Sequence, residues 1–330
     1  MDVIVIGLGP IGQRAVRHMH RMGGFRVVGA VDVNPDLVER PLNQVVEGVP
    51  WDLPIVRDLE STLESHPGVP VLMYTRSHVP DVMETLETVL RHGHSVVTTT
   101  EELADPWTRY PEESARLDRL ARDHGVALLG TGVNPGFAMD FLPGVLTAVV
   151  HELEHVAVYR HQEAFHRRYP LQKKIGSGLT VAEFEEKWAR REMGHVGLVE
   201  SAYLLGRMLG WSLDRLEEDC RPVLATEDIQ TEYFHVRPGQ VQGILHTVRA
   251  YEGDRERIYL ELKMALRVED PRDEVVLTGD PPLRMVIPGG LPGDPATVNI
   301  SLGMVRVIQD LPPGLHTMGD LPVPHYRKGS

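Results

Sequence analysis

The chain is poor in cysteine: its only one, Cys220, cannot form an internal disulfide. We therefore expect a reducing compartment, with the cytoplasm as the default location. No stretch approaches the ~20 apolar residues of a transmembrane helix. The N-terminal apolar run spans only about six residues and lacks a basic leader, so we expect neither a signal peptide nor a membrane partner.

Positive charge is also scarce, since 34 Lys and Arg stand against 47 Asp and Glu and give a formal net charge of −13. Surfaces that bind nucleic acid concentrate Lys and Arg, so neither DNA nor RNA is an expected partner. Repeats and low-complexity segments are absent from the sequence. A length of 330 residues with 42% hydrophobic content suits a globular protein of two domains.

The chain is organised around its first dozen residues, where an apolar strand at 1–6 leads into the sequence GLGPIG and a helix. In such a turn one glycine makes the bend, the next admits a pyrophosphate, and the last lets the helix pack on the strand. A second apolar run at 25–31 ends in an acid suited to a ribose hydroxyl. The residues assigned to dinucleotide binding are Gly7, Gly9, Pro10, Ile11, Gly12 and Asp32. The alternative interpretation is that the glycine turn only caps the helix and that Asp32 is an ordinary surface acid.

Strands and helices alternate as far as residue 150, with further strands at 69–74, 95–100 and 126–130. This order predicts an α/β fold, a Rossmann-type doubly wound parallel sheet whose ligands bind beyond the carboxyl ends of the strands. The loops at 75–78, 100–103 and 131–137 should line that crevice. From them, the further candidates for cofactor contact are Thr75, Arg76, Asn134 and Pro135. For the last loop, an ordinary turn between strand and helix remains the alternative.

From about residue 155 the pattern changes, and it predicts a second α+β domain with a mostly antiparallel sheet. Long strands are predicted at 226–236, 241–251 and 257–268, and the last alternates apolar and polar residues. A glycine-rich loop at 170–178 precedes a capping box formed by Thr180 and Glu183. We expect a dinucleotide-binding domain at 1–150, a substrate and dimerisation domain at 151–290, and a C-terminal helix and tail at 291–330. That helix, capped by Asp294, should pack back on the first domain.

Glu101 and Glu102 follow a strand at the expected crevice, where hydride transfer needs a group that handles protons. Like charges in a cleft raise the pKa of a carboxyl and would prepare one of them as a base. The alternative is that both stabilise the start of the next helix.

Two further patterns suggest other chemistry. His151 and His155 fit HExxH, the zinc-protease signature, but the match falls where a helix gives way to a strand, so the rings should not share a face and we expect no metal. His195 lies between two glycines and is either structural or part of the site. Lys173 and Lys174 could meet an anion or form a solvated basic loop.

Together these stretches resemble the 2,4-diaminopentanoate dehydrogenases and the related native amine dehydrogenases, and more distantly the dihydrodipicolinate reductases. The matching segments, which occur in order along the chain, are 7–12, 98–103, 130–137, 170–178, 194–201 and 293–297.

The resemblance implies reversible, NAD(P)-dependent reductive amination of a ketone or aldehyde with ammonia. It also implies a catalytic acid/base in the Glu101–Glu102 pair, of which we favour Glu101, and a homodimer formed through the second domain's sheet. The residues expected to line the substrate pocket are Val133, Phe137, Ala138, His195 and Thr297. The apolar ones among them suit a plain alkyl or cyclic ketone.

Several alternatives stay open at this point. Asp32 favours NAD because a carboxylate repels a 2′-phosphate, yet NADP is possible if Arg40 lies close. The chain could instead be a true 2,4-diaminopentanoate dehydrogenase. It could also be a protein that binds NAD as a sensor without catalysis.

Overall fold

The computed structural model describes residues 1–323. Its α-helices, in chain order, are α1 (Pro10–Met22), α2 (Leu42–Val45), α3 (Leu59–Ser65), α4 (Met83–Arg91), α5 (Pro111–Asp123), α6 (Phe141–Leu146), α7 (Tyr169–Lys174), α8 (Val181–Ala189), α9 (Leu198–Leu209) and α10 (Gly293–Val307). Its strands are β1 (Asp2–Ile6), β2 (Arg26–Val31), β3 (Val71–Met73), β4 (Val96–Thr98), β5 (Ala127–Gly130), β6 (Glu152–Glu163), β7 (Arg215–Leu224), β8 (Ile229–Gln230), β9 (His235–Val236), β10 (Val241–Glu252), β11 (Arg255–Ala265), β12 (Arg272–Asp280), β13 (Leu283–Pro288) and β14 (Gly314–His316).

The first of two compact units contains Met1–Phe137 and Pro292–Leu321. Its six strands have the order β14-β5-β4-β3-β1-β2, and every neighbouring pair is parallel. Residues 3–5 of β1 are fully buried, which explains why this strand is continuously apolar rather than alternating. The predicted Rossmann-type parallel sheet is confirmed.

Helix α10 belongs to the first unit, where it contacts α1, β3 and β4. Its apolar stripe of Val298, Leu302 and Val305 is buried, as the spacing of these residues predicts. The predicted cap was wrong: Pro292 is the residue that precedes the helix, and Asp294 lies inside the first turn. The functional division of the chain at 150 and 290 stays a prediction.

The second unit, formed mainly by Ala138–Leu291, contains a sheet of order β13-β12-β6-β11-β10-β7. Its pairs are antiparallel except β6 with β11, so the predicted mostly antiparallel sheet is confirmed. Along β11, alternate residues from Ile258 to Met264 are buried, and α9 packs against β10 and β11. The capping box of Thr180 and Glu183 opens α8 as predicted.

Several segments of the second unit differ from the prediction, which also lacked the strands β12 and β13. The strand predicted at 226–236 is replaced by the short hairpin β8–β9, and the long strand beside β10 is β7. Three consecutive acids, Glu217, Glu218 and Asp219, mask β7 in the sequence, yet an edge strand tolerates charge because one side of it is unpaired. The glycine-rich loop at 170–178 likewise begins with α7, which a proline in the first turn favours.

Two helices of the first unit, α2 and α3, and its edge strand β14 were also missed. The segment between Asp32 and β3 contains α3, whose start is capped by the Asp58 carboxylate accepting the N–H of Ser61. Within residues 1–323, none of the helices combines the length and apolar character needed to cross a membrane.

Candidate active site

The glycine turn between β1 and α1 is shaped by close backbone contacts. Gly7 has φ +87°, and a Cβ there would lie 2.1 Å from the carbonyl oxygen of Tyr74. A Cβ at Gly12 would lie 2.0 Å from the Gly7 oxygen, so the helix can approach the strand only without a side chain. At Gly9 a Cβ would meet nothing within 4 Å, which leaves the middle of the turn open. An open middle glycine before a helix start, with Pro10 and Ile11 in the first turn, fits the pyrophosphate of a dinucleotide.

Asp32 is held at the carboxyl end of β2 by two backbone donors. The N–H of Leu8 donates to Oδ2 at 2.6 Å, and the N–H of Asn34 donates to Oδ1 at 2.7 Å. The carboxylate therefore has a fixed position beside the glycine turn, and each oxygen keeps a lone pair for a ribose hydroxyl. Arg40 is exposed on the following loop.

Arg57 is the arginine that reaches this region, and it was not among the predicted site residues. Its guanidinium Nη2 donates to the carbonyl oxygen of Val33 at 3.0 Å. A backbone bond from Asp32 N–H to the Val56 oxygen places Arg57 next to the β2 terminus. The sequence does not indicate this contact, because 24 residues separate Arg57 from Val33.

The loop after β3 begins at the exposed residues Thr75 and Arg76, which follow buried Tyr74. The Thr75 Cγ2 atom lies 3.2 Å from the position of a Cβ on Gly7, so this loop borders the glycine turn. Tyr74 is fixed from the other side, because its hydroxyl hydrogen-bonds Ser301 Oγ at 2.7 Å. Of the two predicted cofactor residues on the loop, Thr75 therefore lies beside the glycine turn, and Arg76 follows it on the exposed loop.

Glu101 and Glu102 open a 3₁₀ turn at Glu101–Ala104, directly beyond β4. The turn packs on β5 because Gly130 has no side chain; a Cβ there would lie 2.2 Å from the Leu103 oxygen. The N–H of Glu102 donates to the Ser77 oxygen at 3.1 Å, which links the ends of β3 and β4. Glu101 is partly exposed, whereas Glu102 is 1% exposed.

Buried Glu102 is surrounded by donors. Oε1 lies 3.0 Å from His78 Nδ1 and 3.7 Å from Arg109 Nη2, and Oε2 accepts the N–H of Val79 at 2.9 Å. Burial by itself raises the pKa of Glu102, but the hydrogen bonds from His78, Tyr110 and Val79 outweigh it and hold the pKa below its ordinary value. An ionised, fully engaged carboxylate is suited to joining two loops rather than to exchanging protons.

This environment predicts a pH-dependent contribution of Glu102 to stability. Because its pKa is lower in the folded chain than the ordinary value of 4.5, its contribution is complete above that pH and is lost as the pH falls through the folded pKa. We expect Glu102→Gln to lower the free energy of unfolding at pH 7 by about 1–3 kcal/mol. Urea unfolding should show the difference from the parent shrinking below about pH 4. Equal stability at pH 7, or a difference that widens in acid, would contradict the assignment; exposed Glu84→Gln is the control.

The predicted loop at 131–137 lies at the end of β5. The N–H of Thr131 donates to the Thr98 oxygen at 2.9 Å, and the N–H of Val133 donates to Thr297 Oγ1 at 3.3 Å. Gly136 has φ +112°, and a Cβ there would lie 2.5 Å from the Gly132 nitrogen. Val133 and Thr297, both predicted for the substrate pocket, are therefore in contact.

The remaining residues predicted for this loop vary in exposure. Asn134 and Phe137 are partly buried, and Pro135 is buried. Ala138 is also buried but belongs to the second unit.

His195 lies in the second unit, before α9, where its backbone is tied to a buried histidine. Its N–H donates to Nδ1 of His246 at 3.0 Å, and His246 Nε2 lies 3.0 Å from Glu218 Oε1. His246 is 1% exposed and meets Trp188 edge-on. His195 is thus positioned by the second unit's own core.

The HExxH match does not have the helical geometry of the zinc-protease signature. Glu152 to His155 lie on β6 rather than on a helix, and residues 1–323 contain no group of three or more His, Cys, Asp or Glu side chains able to hold a metal ion. Lys173 and Lys174 lie on α7, and Lys173 Nζ is 5.9 Å from the centre of the Tyr169 ring.

Comparison with known proteins gives consistent matches. Residues 137–330 match the family model described as the 2,4-diaminopentanoate dehydrogenase C-terminal domain. The 2,4-diaminopentanoate dehydrogenase of Acetoanaerobium sticklandii is 28% identical, with 100% of this chain and 95% of that protein covered. The solved structure of the amine dehydrogenase from Mycobacterium smegmatis is 25% identical and has a TM-score of 0.85, with 99% and 97% coverage of the two chains. The dihydrodipicolinate reductase of Paenisporosarcina, at 10% identity, a TM-score of 0.52 and 97% and 99% coverage, shares the fold.

Proposed function

The chain belongs to the 2,4-diaminopentanoate dehydrogenase family, and we propose that it catalyses reversible reductive amination of a ketone or aldehyde with ammonia to a primary amine. Family membership confirms the sequence-based prediction of an NAD(P)-dependent oxidoreductase. The substrate, the cofactor preference and the catalytic residues named below are parts of the proposal.

The observation that carries the proposal is the order of the strands that end at the candidate site. β3 lies between β1 and β4, so the glycine turn and the Glu101 turn are separated by two strand spacings, about 10 Å. Loops from neighbouring parallel strands meet at the carboxyl edge of such a sheet, where dinucleotides and their substrates bind. The strand order thus supports placing the proposed acid/base and the proposed dinucleotide turn at one edge of the first unit.

The glycine turn would hold a nicotinamide dinucleotide, with Gly9 and the start of α1 at the pyrophosphate and Asp32 at the ribose. When bound, this cofactor supplies or accepts the hydride. Thr75 borders the same turn, and we propose that Thr75 and the neighbouring Arg76 complete the cradle.

Glu101 is the proposed acid/base. Its carboxylate can take a proton from ammonium to release nucleophilic ammonia, then return one to the hydroxyl of the carbinolamine as water leaves. A negative carboxylate beside the resulting iminium also stabilises its positive charge. Glu102 would position this turn through the ends of β3 and β4 without touching the reacting atoms.

The proposed substrate is a plain alkyl or cyclic carbonyl compound. Val133, with the Thr297 hydroxyl at its backbone, offers an apolar wall with a single polar group. A second candidate is 2,4-diaminopentanoate itself, which the similarity to the Acetoanaerobium sticklandii enzyme along the whole chain favours.

An assay of NADH and NADPH oxidation with ammonium and a panel of alkyl ketones, cyclic ketones and aldehydes tests the proposal. We expect turnover that requires ammonium. The reverse assay with 2,4-diaminopentanoate and NAD⁺ separates the second candidate, since a clear preference for it would assign the diamino acid. An absence of ammonium-dependent turnover in all arms would contradict the proposed function.

We propose NAD as the preferred cofactor, with NADP accepted through Arg57. Asp32 would repel a 2′-phosphate, whereas the Arg57 guanidinium beside Val33 would attract one. We expect Arg57→Ala to raise KM for NADPH at least tenfold and to change KM for NADH less than threefold. Steady-state kinetics with both cofactors measures this, and Arg40→Ala is the control. Equal effects on the two cofactors would contradict the role.

We also propose a cytoplasmic homodimer formed through the second unit's sheet. The half-buried aromatic side chains of Tyr159 and Tyr259, in contact at 5.7 Å between ring centres, support an interface on this face. Light scattering of the purified protein should give twice the chain mass, and a monomer mass would contradict the dimer.

A further inference from the structure

A groove in the first unit is lined by basic side chains that the proposed reaction does not use. It has a volume of about 430 Å³ and runs between α1 and α10. We call it the arginine groove; the residues that line it are Arg14, Arg17, His18 and Arg21 from α1, with Pro295, Val298 and Asn299 from α10. The buried face of α1, which includes Ala15 and Val16, points away from it into the core.

The three arginines are not compensated by acids. Among residues 1–323, none of Arg14, Arg17 and Arg21 has a carboxylate oxygen within 4 Å, although the chain carries a net charge of −13. Some helical arginines elsewhere are paired with an acid four residues away, as Arg91 is with Glu87 and Arg122 with Asp118. Like charges three and four residues apart on a helix repel each other by a few tenths of a kcal/mol per pair. The repulsion between the arginines of α1 therefore raises the free energy of the folded chain, and a bound anion would remove this repulsion.

The spacing of the stripe suits more than one negative group. At about 1.5 Å per residue, Arg14 and Arg17 are offset by about 4.5 Å along the helix, and Arg14 and Arg21 by about 10 Å. Guanidinium groups bind phosphate oxygens in pairs, which makes arginine the preferred partner of phosphate. Val298 adds an apolar wall and Asn299 an amide, and the volume lies within the usual range of small-molecule sites.

We propose that the arginine groove binds a small polyphosphate, either an inorganic chain or the phosphates of a nucleotide, at a site separate from the dinucleotide turn. The three arginines hold successive phosphates, and α10 covers the ligand's other side. This inference does not depend on the proposed reaction.

The test is calorimetric titration of inorganic tripolyphosphate, ATP and citrate into protein already saturated with NADH, so that the dinucleotide site is filled. We expect tripolyphosphate or ATP to bind at least tenfold more tightly than citrate. Binding of tripolyphosphate assigns the phosphate chain as the ligand, and binding of ATP alone assigns a nucleotide.

Two variants locate the site. Arg17→Gln and Arg21→Gln should each weaken binding at least tenfold, while Arg26→Ala, an exposed arginine paired with Asp2, should leave it unchanged. A melting temperature raised by the ligand in the parent and not in Arg17→Gln would support the same site in a folded protein. No detectable binding, citrate binding as tightly as tripolyphosphate, or full binding by both glutamine variants would overturn the proposal.

Discussion

Replacing Glu101 by glutamine is expected to lower kcat for ammonium-dependent NADH oxidation by about 100- to 10,000-fold, the contribution typical of general acid–base catalysis. Glutamine keeps the shape of the side chain and loses only its ability to take and return a proton. Because the 3₁₀ turn is held by Gly130 and by Glu102, the backbone should be unaffected. Initial rates at saturating carbonyl compound and ammonium measure the effect.

Two comparisons separate catalysis from binding and folding. NADH affinity, followed by fluorescence, should stay within threefold of the parent, and the control Glu112→Gln, an exposed acid on α5, should keep full activity. Glu102→Gln should reduce activity less than Glu101→Gln does, because it acts through the position of the turn. Unchanged kcat in Glu101→Gln would remove this residue from the mechanism, and equal losses in both variants would mean that the pair acts as a unit.

The same variant discriminates against a non-catalytic NAD-binding sensor. A sensor would retain every measurable property when Glu101 loses its charge, since no proton is transferred. Loss of turnover with preserved NADH binding requires a reaction at this carboxylate.

The parts of the site that the sequence predicted are those whose requirements are local. Gly12 is needed because the carbonyl oxygen of Gly7, five residues earlier in the same turn, leaves no room for a Cβ, and Gly7 itself has φ +87°, which favours glycine. The alternation along β11 likewise reports directly which residues face the core. The placement of Glu101 followed from one rule, that parallel strands bring their carboxyl ends to one edge.

The parts that were missed depend on residues distant in sequence. Nothing near Glu102 indicates that His78 and Val79, more than twenty residues earlier, would bury and ionise it. Arg57 reaches Val33 only because residue 56 pairs with β2. The charged edge strand β7 was missed for another reason. Its local composition disfavours a strand, and the strand forms because it pairs with the distant β10.

The second large effect concerns stability, and it is located at the ion pair of Arg160 and Asp273 on the neighbouring strands β6 and β12. Arg160 Nη1 lies 2.6 and 2.5 Å from the two carboxylate oxygens of Asp273, and the two side chains are only 4% and 3% exposed. The pair also fixes the end of the second unit, because Leu291 donates its N–H to Asp273 and accepts from Arg160. Each buried charge of the pair therefore has hydrogen-bond partners, namely the other member and the backbone of Leu291.

Removing one member leaves the other charge buried and alone, so Asp273→Ala should lower the free energy of unfolding by about 3–5 kcal/mol. Asp270→Asn is the matched control, because that carboxylate is 74% exposed beside Arg272 and should change stability by less than about 0.5 kcal/mol. The double variant Arg160→Met/Asp273→Leu should recover most of the loss, since an apolar pair leaves no buried charge. Urea unfolding of the four proteins distinguishes these outcomes. If Asp273→Ala were as stable as the control, or if the double variant were less stable than the single one, the buried charge would not be the source of the effect.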